Sequence, residues 1–319
     1  MSPSVADLGD SIIWIIRGVI RYVPNTIANV ILVPIISAFK TLIHWYTDKD
    51  EISRVAHRRF STEADRLYAM KCTLVESKSL KGLFPVEVNT DVTEMFEFTC
   101  QTKRLDNPKT CSVVQECFLA VKGIALLVDE LGKARDVAFN DSDPHHTALL
   151  TKLWKALKPD TLYPGRISKE WDQIGFQGKN PASDFRGNGI LGLQNLVDFC
   201  ERYPALARSI CSSYGRDPIK YPGFAICGIR LTSDALQFVK TGVCDRFLFA
   251  RGRASMDAFI DLYAILWFRF DRLWDDSRPP DVMSFSSIHS AFVQQMSRLF
   301  LDHKSSFQLT ADLLQATKQ

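Results

Sequence analysis

The chain has 319 residues, 46% of them hydrophobic and 24% charged, which suffices to bury a sizeable core in one large domain or two modest ones and excludes a disordered polymer. Its 39 basic and 36 acidic side chains leave a net charge of +3, so the strongly basic footprint of a nucleic-acid binder is not supported. The eight cysteines (72, 100, 111, 117, 200, 211, 227 and 244) contain no CxxC, and the six histidines complete no zinc spacing. They read as reduced, mostly buried thiols of a cytosolic compartment with no metal site.

From Ser11 to Tyr46 the chain is unusually apolar, with no charge between Arg21 and Lys40. A secretory signal is disfavoured, because the leader carries Asp7 and Asp10, has no basic n-region, and is followed by Arg17 inside the apolar run. The charge-free stretch is near the ~20 residues that cross a bilayer, yet it contains Pro24, Asn25, Asn29 and Pro34. A helix restarting at Asn25 or Thr26 places Thr26, Asn29, Ser37, Lys40, Thr41 and His44 on one stripe, with apolar residues elsewhere. Two such helices can form a hairpin or tilted anchor in a membrane, with Trp14, Trp45 and Tyr46 near the headgroups, or pack on the main domain. Their narrow polar stripes favour membrane association of residues 11–46.

Beyond residue 46 the periodicity is helical almost throughout, with no sustained two-residue alternation, and the fold class expected is all-α. The pattern divides the chain into an apolar segment 1–47, a helical part 48–140 and a motif-bearing part 141–319. A charged helix is expected over about 48 to 80, with Arg54, Arg58, Arg59, Glu63 and Arg66 on solvated positions. Residues 81 to 110, with Gly82, Pro85, Asn107 and Pro108, read as a linker around one short helix. From Cys111 to about Ala138 an apolar helix follows, closed by the turn residues DSDPHH, where His145 and His146 read as capping or surface side chains. Leu149, Leu150, Leu153, Trp154 and Leu157 then give one apolar helical face, and RISKEW (166–171) a short helix. Helices over 190–204, from Phe224 to a C′ glycine at Gly242, over 256–274 and over roughly 284–315 complete the chain. In the segment 256–274, Asp257, Asp261, Arg269 and Arg272 keep to one stripe, which makes it the buried centre of a helical domain.

The stretch Gly175 to Gly189, GFQGKNPASDFRGNG, holds a single arginine among residues that control backbone shape. Gly175, Gly178, Gly187 and Gly189 can take positive φ, and Pro181 fixes its own φ while pushing Asn180 towards extended geometry. Such a loop presents a planar, permanent cation, Arg186, to a phosphate or carboxylate. The chain has no GxxxxGK[ST] and no GxSxG, and no strand precedes GNGILG, so it carries no nucleotide, cofactor or small-molecule site of its own. Arg186 is then a group offered to something another protein carries. The alternative is structural: pairing with Asp184, or bonding loop carbonyls, and so holding Phe185 in the core. Trp171, Ile174 and Phe176 read as packing beneath the loop. Gln177 can position water, contact a partner or bond backbone, and Lys179 sits at the exposed tip.

The run from Trp171 to Leu196 resembles the signature of the engulfment and cell motility (ELMO) domain family, a tryptophan followed closely by I-G-F-Q-x3-P-x-T-D-F-R-G-x-G-x3-L-x2-L, with Ser183 in place of its threonine. LTKLWKAL, RISKEW and FAICGIRLT are also similar to that family, so the resemblance covers about residues 145 to 300. The full length resembles the short members, since 319 residues cannot hold the armadillo-type repeats and pleckstrin homology domain of the larger ones. The resemblance implies an all-α domain of ELMO type. It also implies a GTPase-activating protein for GTP-bound Arf and Arf-like (Arl) GTPases at the cytosolic face of an intracellular membrane, with no covalent chemistry of its own. The family's required arginine matches Arg186. A non-catalytic adaptor for a GTPase or its exchange factor is the alternative.

Overall fold

The computed structural model describes residue 12 and residues 31–47, 49–217 and 219–302. No strand occurs among the described residues, and the fold is all-α as the periodicity predicts. The helices are α1 (Val33–Thr47), α2 (Glu51–His57), α3 (Glu63–Glu76), α4 (Val92–Lys103), α5 (Pro108–Asp136), α6 (Pro144–Leu157), α7 (Gly189–Arg202), α8 (Pro204–Arg216), α9 (Phe224–Thr241), α10 (Asp245–Ala250), α11 (Met256–Ser277) and α12 (Phe285–Leu301). Short 3-10 helices lie at Lys81–Leu83, Lys169–Ile174, Pro181–Gly187 and Val282–Ser284. The chain forms two compact units, residues 1–122 and 123–319, and α5 begins in the first and ends in the second.

In the first unit, the single charged helix expected over 48–80 is two helices. Asp50 caps α2 by accepting from the Ser53 N–H at 2.8 Å, and Thr62 caps α3 by accepting from the Asp65 N–H at 3.2 Å. Each cap satisfies donors that only a helix start leaves open, so the chain breaks between them. Arg54, expected on a wet face, is buried, and its Nη1 donates to the Lys49 carbonyl at 2.7 Å. The Trp14, Arg17, Arg21, Pro24, Asn25, Thr26 and Asn29 positions of the amino-terminal reading lie outside the described residues. In α1, Ile36 and Ile43 are buried, and Lys40 pairs with Glu51 at 3.0 Å and Glu76 at 3.5 Å. Ile35, Ala38, Leu42 and Trp45 occupy the opposite, exposed side. Helix α5 is long and apolar enough to cross a membrane by length and composition, while its Val113, Val114, Cys117, Phe118, Leu127 and Leu131 are buried within the protein.

The second unit is built on α7, α9 and α11. Pro144 opens α6 and Asp143 caps it, accepting from the His145 N–H at 2.8 Å. The apolar face read from Leu149 to Leu157 is buried. His146, expected as a capping or surface residue, is buried instead: its Nδ1 accepts from the Asn140 N–H at 3.0 Å and its ring lies 5.6 Å from that of Phe139. Phe199 of α7 meets Tyr263 edge-on at 5.7 Å and stacks on Trp267 of α11 at 6.0 Å. Trp267 in turn stacks on Phe224 of α9 at 4.8 Å. Gly228 allows this, since a Cβ there would lie 2.4 Å from Leu196 and 2.6 Å from the Tyr263 hydroxyl. Asp261, one of the four stripe residues of α11, is 1% exposed and is paired inside: it accepts from the Tyr203 hydroxyl at 2.6 Å and pairs with Arg202 and Arg251. Helix α9 ends at Gly242, whose φ of 71° is the left-handed cap the sequence predicts.

Asp271, half-buried on α11, has Tyr214 of α8 and Cys227 of α9 among its neighbours. Burial, then the Asp275 carboxylate, push its carboxyl from 3.8 up to about 6, against the pull of Arg272. The folded chain holds this proton more tightly than the unfolded chain, so the contribution is present below about pH 4 and is lost as pH rises through about 6. Asp271→Asn should therefore be more stable than the parent at pH 7, by at most about 3 kcal/mol from a shift of about two units. Urea denaturation across pH should show that gap closing towards pH 4; a gap independent of pH would refute it.

Candidate functional site: a loop that presents Arg186

The loop begins in the 3-10 helix Lys169–Ile174, capped by Ser168, whose hydroxyl accepts from the Glu170 N–H at 3.2 Å. Beneath it, Trp171 is fully buried and donates its Nε1–H to the Gly165 carbonyl at 3.2 Å. Its ring meets Trp154 at 5.4 Å, Tyr163 at 5.8 Å and Phe176 at 5.7 Å, all edge to face. Phe176 passes the contact to Phe185 at 5.6 Å, and Phe185 stacks on Phe139 at 6.1 Å. Trp171, Ile174 and Phe176 thus form the apolar floor expected of them, joined by the buried Pro181 and Phe185.

Two glycines fasten the loop at its ends. Gly175 has φ of 85° and touches the start of α9: a Cβ on it would lie 2.1 Å from the Phe224 nitrogen, and one on Gly223 would lie 2.4 Å from the Gly175 oxygen. The Gly175 carbonyl accepts from the Ile226 N–H at 3.2 Å. At the other end Gly189, φ of 51°, crosses the end of α5, where a Cβ would lie 2.0 Å from the Arg135 oxygen, and the adjacent Ile190 N–H donates to the Val137 carbonyl at 2.7 Å. Gly178 also has positive φ. Gly187, read as another such residue, does not: it closes the 3-10 helix Pro181–Gly187 with ordinary φ.

Polar side chains tie the middle. The Asp184 carboxylate accepts from the Gln177 N–H at 2.8 Å, spanning the loop. The Ser183 hydroxyl lies 2.9 Å from the Asn180 carbonyl and 3.3 Å from Asp184 Oδ1, so the hydroxyl that replaces threonine's serves two acceptors. Burial pushes the Asp184 carboxyl above the usual carboxylate range, opposed by the Gln177 amide, the Ser183 hydroxyl and the Arg186 charge. Arg186 itself is exposed and donates Nε–H to the Ser183 carbonyl at 2.8 Å. Among the described residues its two terminal nitrogens have no hydrogen-bond partner, and it makes no ion pair with Asp184. Gln177 and Lys179 are exposed, and the Gln177 side-chain amide bonds nothing among the described residues.

Three contributors escaped the sequence reading. Asn180 caps the second 3-10 helix, accepting from the Ala182 N–H at 3.0 Å, and also accepts from Arg166 Nη1 at 2.8 Å. Arg166 pairs with Asp141 and lies over the Phe139 ring at 4.9 Å. Asn188 is buried and donates Nδ2–H to the Ile229 carbonyl at 2.7 Å and to the Ser233 hydroxyl at 2.9 Å. The Asn180 cap is local, an asparagine before proline; the bonds of Asn188 and Arg166 are contacts across sequence distance. The free thiols of Cys200 and Cys211 are buried, and burial pushes both up, Cys211 to about 11, as suits packing rather than nucleophilic chemistry. No group of metal-binding side chains occurs among the described residues.

Fold and loop together define an all-helical domain that holds one arginine outward on a rigid backbone. The chain belongs to the ELMO/CED-12 family, whose model matches residues 129–302. It is 31% identical over 275 residues to ELMO domain-containing protein 2 of Bos taurus, covering 85% of this chain and 93% of that protein. It is 30% identical over 271 residues to ELMO domain-containing protein B of Dictyostelium discoideum, covering 82% and 93% respectively. The human ELMO domain-containing protein 2 is 31% identical over 268 residues, covering 82% and 91%. No solved structure matches.

Gly223→Ala places its methyl against loop backbone, which has no rotamer to give way. Its cost should reach or pass the upper end of the ~1–3 kcal/mol typical of overpacking. Thermal and urea unfolding measure this, and a change below about 0.5 kcal/mol, within the range of inert surface substitutions, would contradict the close crossing.

Proposed function

We propose that the protein is a GTPase-activating protein for GTP-bound Arf or Arl GTPases and that Arg186 is supplied in trans to the GTP phosphates. The observation that carries this reading is an exposed guanidinium with one nitrogen held by its own loop and its outer nitrogens unengaged. A structural arginine spends its donors inside; Arg202 and Arg251, on the buried Asp261, are of that kind. Charge develops on the γ-phosphate oxygens during GTP hydrolysis, and an arginine delivered there lowers the barrier by ~10³–10⁵ in rate. The Nε bond to Ser183 limits the side chain's rotamers before a partner docks, so less entropy is lost on engagement. Lysine lacks the planar fork and cannot substitute. The protein contributes no covalent chemistry and acts as an enzyme regulator. In single-turnover hydrolysis by a panel of loaded Arf and Arl proteins, the parent chain should accelerate the reaction, and Arg186→Ala and Arg186→Lys should lose about 10³-fold or more while unfolding at the parent temperature. A folded Arg186→Ala that accelerates hydrolysis as well as the parent would sink the finger, and binding without acceleration by the parent would leave an adaptor.

We further infer that α1 lies against the cytosolic leaflet of an intracellular membrane. Ile35, Ala38, Leu42 and Trp45 recur at helical spacing on its outward side and are exposed, Trp45 at 80%, beside a sequence without charge from Tyr22 to Phe39. Deleting residues 11–46 would also remove the buried Ile36 and Ile43, so substitution of the outer face is the cleaner test. The full chain should float with liposomes, and Leu42→Asp with Trp45→Asp should shift it to the unbound fraction with unchanged unfolding; equal flotation would exclude this face.

A further inference from the structure

We propose that Gln177 is a second catalytic residue of the same site, an amide that orients the attacking water while Arg186 meets the phosphate charge. This rests on the reading of the loop as a GTPase activator. A loop glutamine ordinarily spends its amide on neighbouring backbone, but here the backbone N–H of residue 177 is met by Asp184 at 2.8 Å, and the side-chain amide is exposed without a partner among the described residues. The same Asp184 stands two residues before Arg186 and feels its charge. Asp184 therefore ties the backbone that carries Gln177 to the segment that carries Arg186, two side chains of kinds that GTP hydrolysis can use, without itself pairing with the guanidinium. Lys179, also exposed on this arc, offers only a flexible point charge.

The chemistry balances without any further reactant. The amide carbonyl of Gln177 accepts one hydrogen of the water, and its NH2 donates to a γ-phosphate oxygen, which aligns the water oxygen with the γ-phosphorus. A bond forms between them as the bond from the γ-phosphorus to the β–γ bridging oxygen breaks. The electron pair of that bond stays on the β-phosphate of GDP, and the water proton ends on the released phosphate. Neither protein side chain is consumed.

Because the backbone N–H of residue 177 makes the structural bond, Gln177→Ala should leave the loop and the unfolding temperature unchanged. In single-turnover hydrolysis with increasing amounts of the protein, it should lower the maximal rate at least about tenfold and leave the half-saturating concentration unaltered. Gln177→Glu should be equally impaired, since a carboxylate cannot donate to the phosphate and repels it. A parent-like maximal rate for Gln177→Ala, or a loss confined to half-saturation, would overturn the proposal while leaving Arg186 in its role. If the parent accelerates nothing, or Arg186→Ala is fully active, the activator reading itself falls and this inference with it.

Discussion

The close crossing of Gly175 and Gly223 is the constraint on which the site depends. Two backbones meet with no Cβ between them, and the Gly175 carbonyl joins the first turn of α9 by accepting the Ile226 N–H. Helix starts leave N–H groups unsatisfied, and here one of them is met by the loop instead of by a capping side chain; Gly223 offers none. The loop is therefore fastened to the helix that packs at the centre of the second unit, and any motion of α9 relative to α7 and α11 is resisted by Phe224, Trp267 and Phe199 in stacked contact. Position flows from the aromatic core, through a helix terminus, to the loop.

Within the loop, labour is divided by polarity. The aromatic floor from Trp154 through Trp171 and Phe176 to Phe185 supplies the burial, and it is edge-to-face over most of its length, which fixes ring orientation more narrowly than a greasy contact would. The small polar residues Ser183, Asp184 and Asn180 satisfy backbone groups, so that the larger polar side chains are released from that duty. Asp184 is the informative member. An arginine two residues away invites an ion pair, but the carboxylate faces the Gln177 amide across the loop, and the guanidinium is left with a single carbonyl. An arginine whose near counterion is turned aside in this way keeps its outer donors open.

How much of this the sequence discloses depends on the range of the interaction. Short-range chemistry was readable: Gly242 as a left-handed cap and the face of α6 from Leu149 to Leu157 both follow from residue type and spacing. The floor of the site was readable too, because Trp171, Ile174, Phe176 and Phe185 are large apolar residues in a segment otherwise made of turn formers. The break between α2 and α3 was missed because its two capping residues, Asp50 and Thr62, stand among charges that look equally at home on a helix surface. Buried polar groups were the systematic failure. Arg54 and His146 look solvent-bound by type, and only the carbonyl or amide that each meets inside explains their burial. Gly223 and Arg166 act on residues far along the chain, Arg166 on Asp141 and Asn180, and nothing local distinguishes them.

The two glycine crossings also set a rule for chain length. Gly175 and Gly189 are pinned to different helices by backbone contacts, so the number of residues between them is fixed by geometry as much as their identity is. An inserted residue would have to be taken up where space is open, and among the loop glycines that is so only around Gly178 and Gly187. An insertion beside Gly187 would displace the neighbouring Arg186, whereas one beside Gly178 would bulge at the far tip and leave the guanidinium in register. The loop should therefore accept extra chain on one shoulder and refuse it on the other, a tolerance asymmetry written by two missing methyl groups.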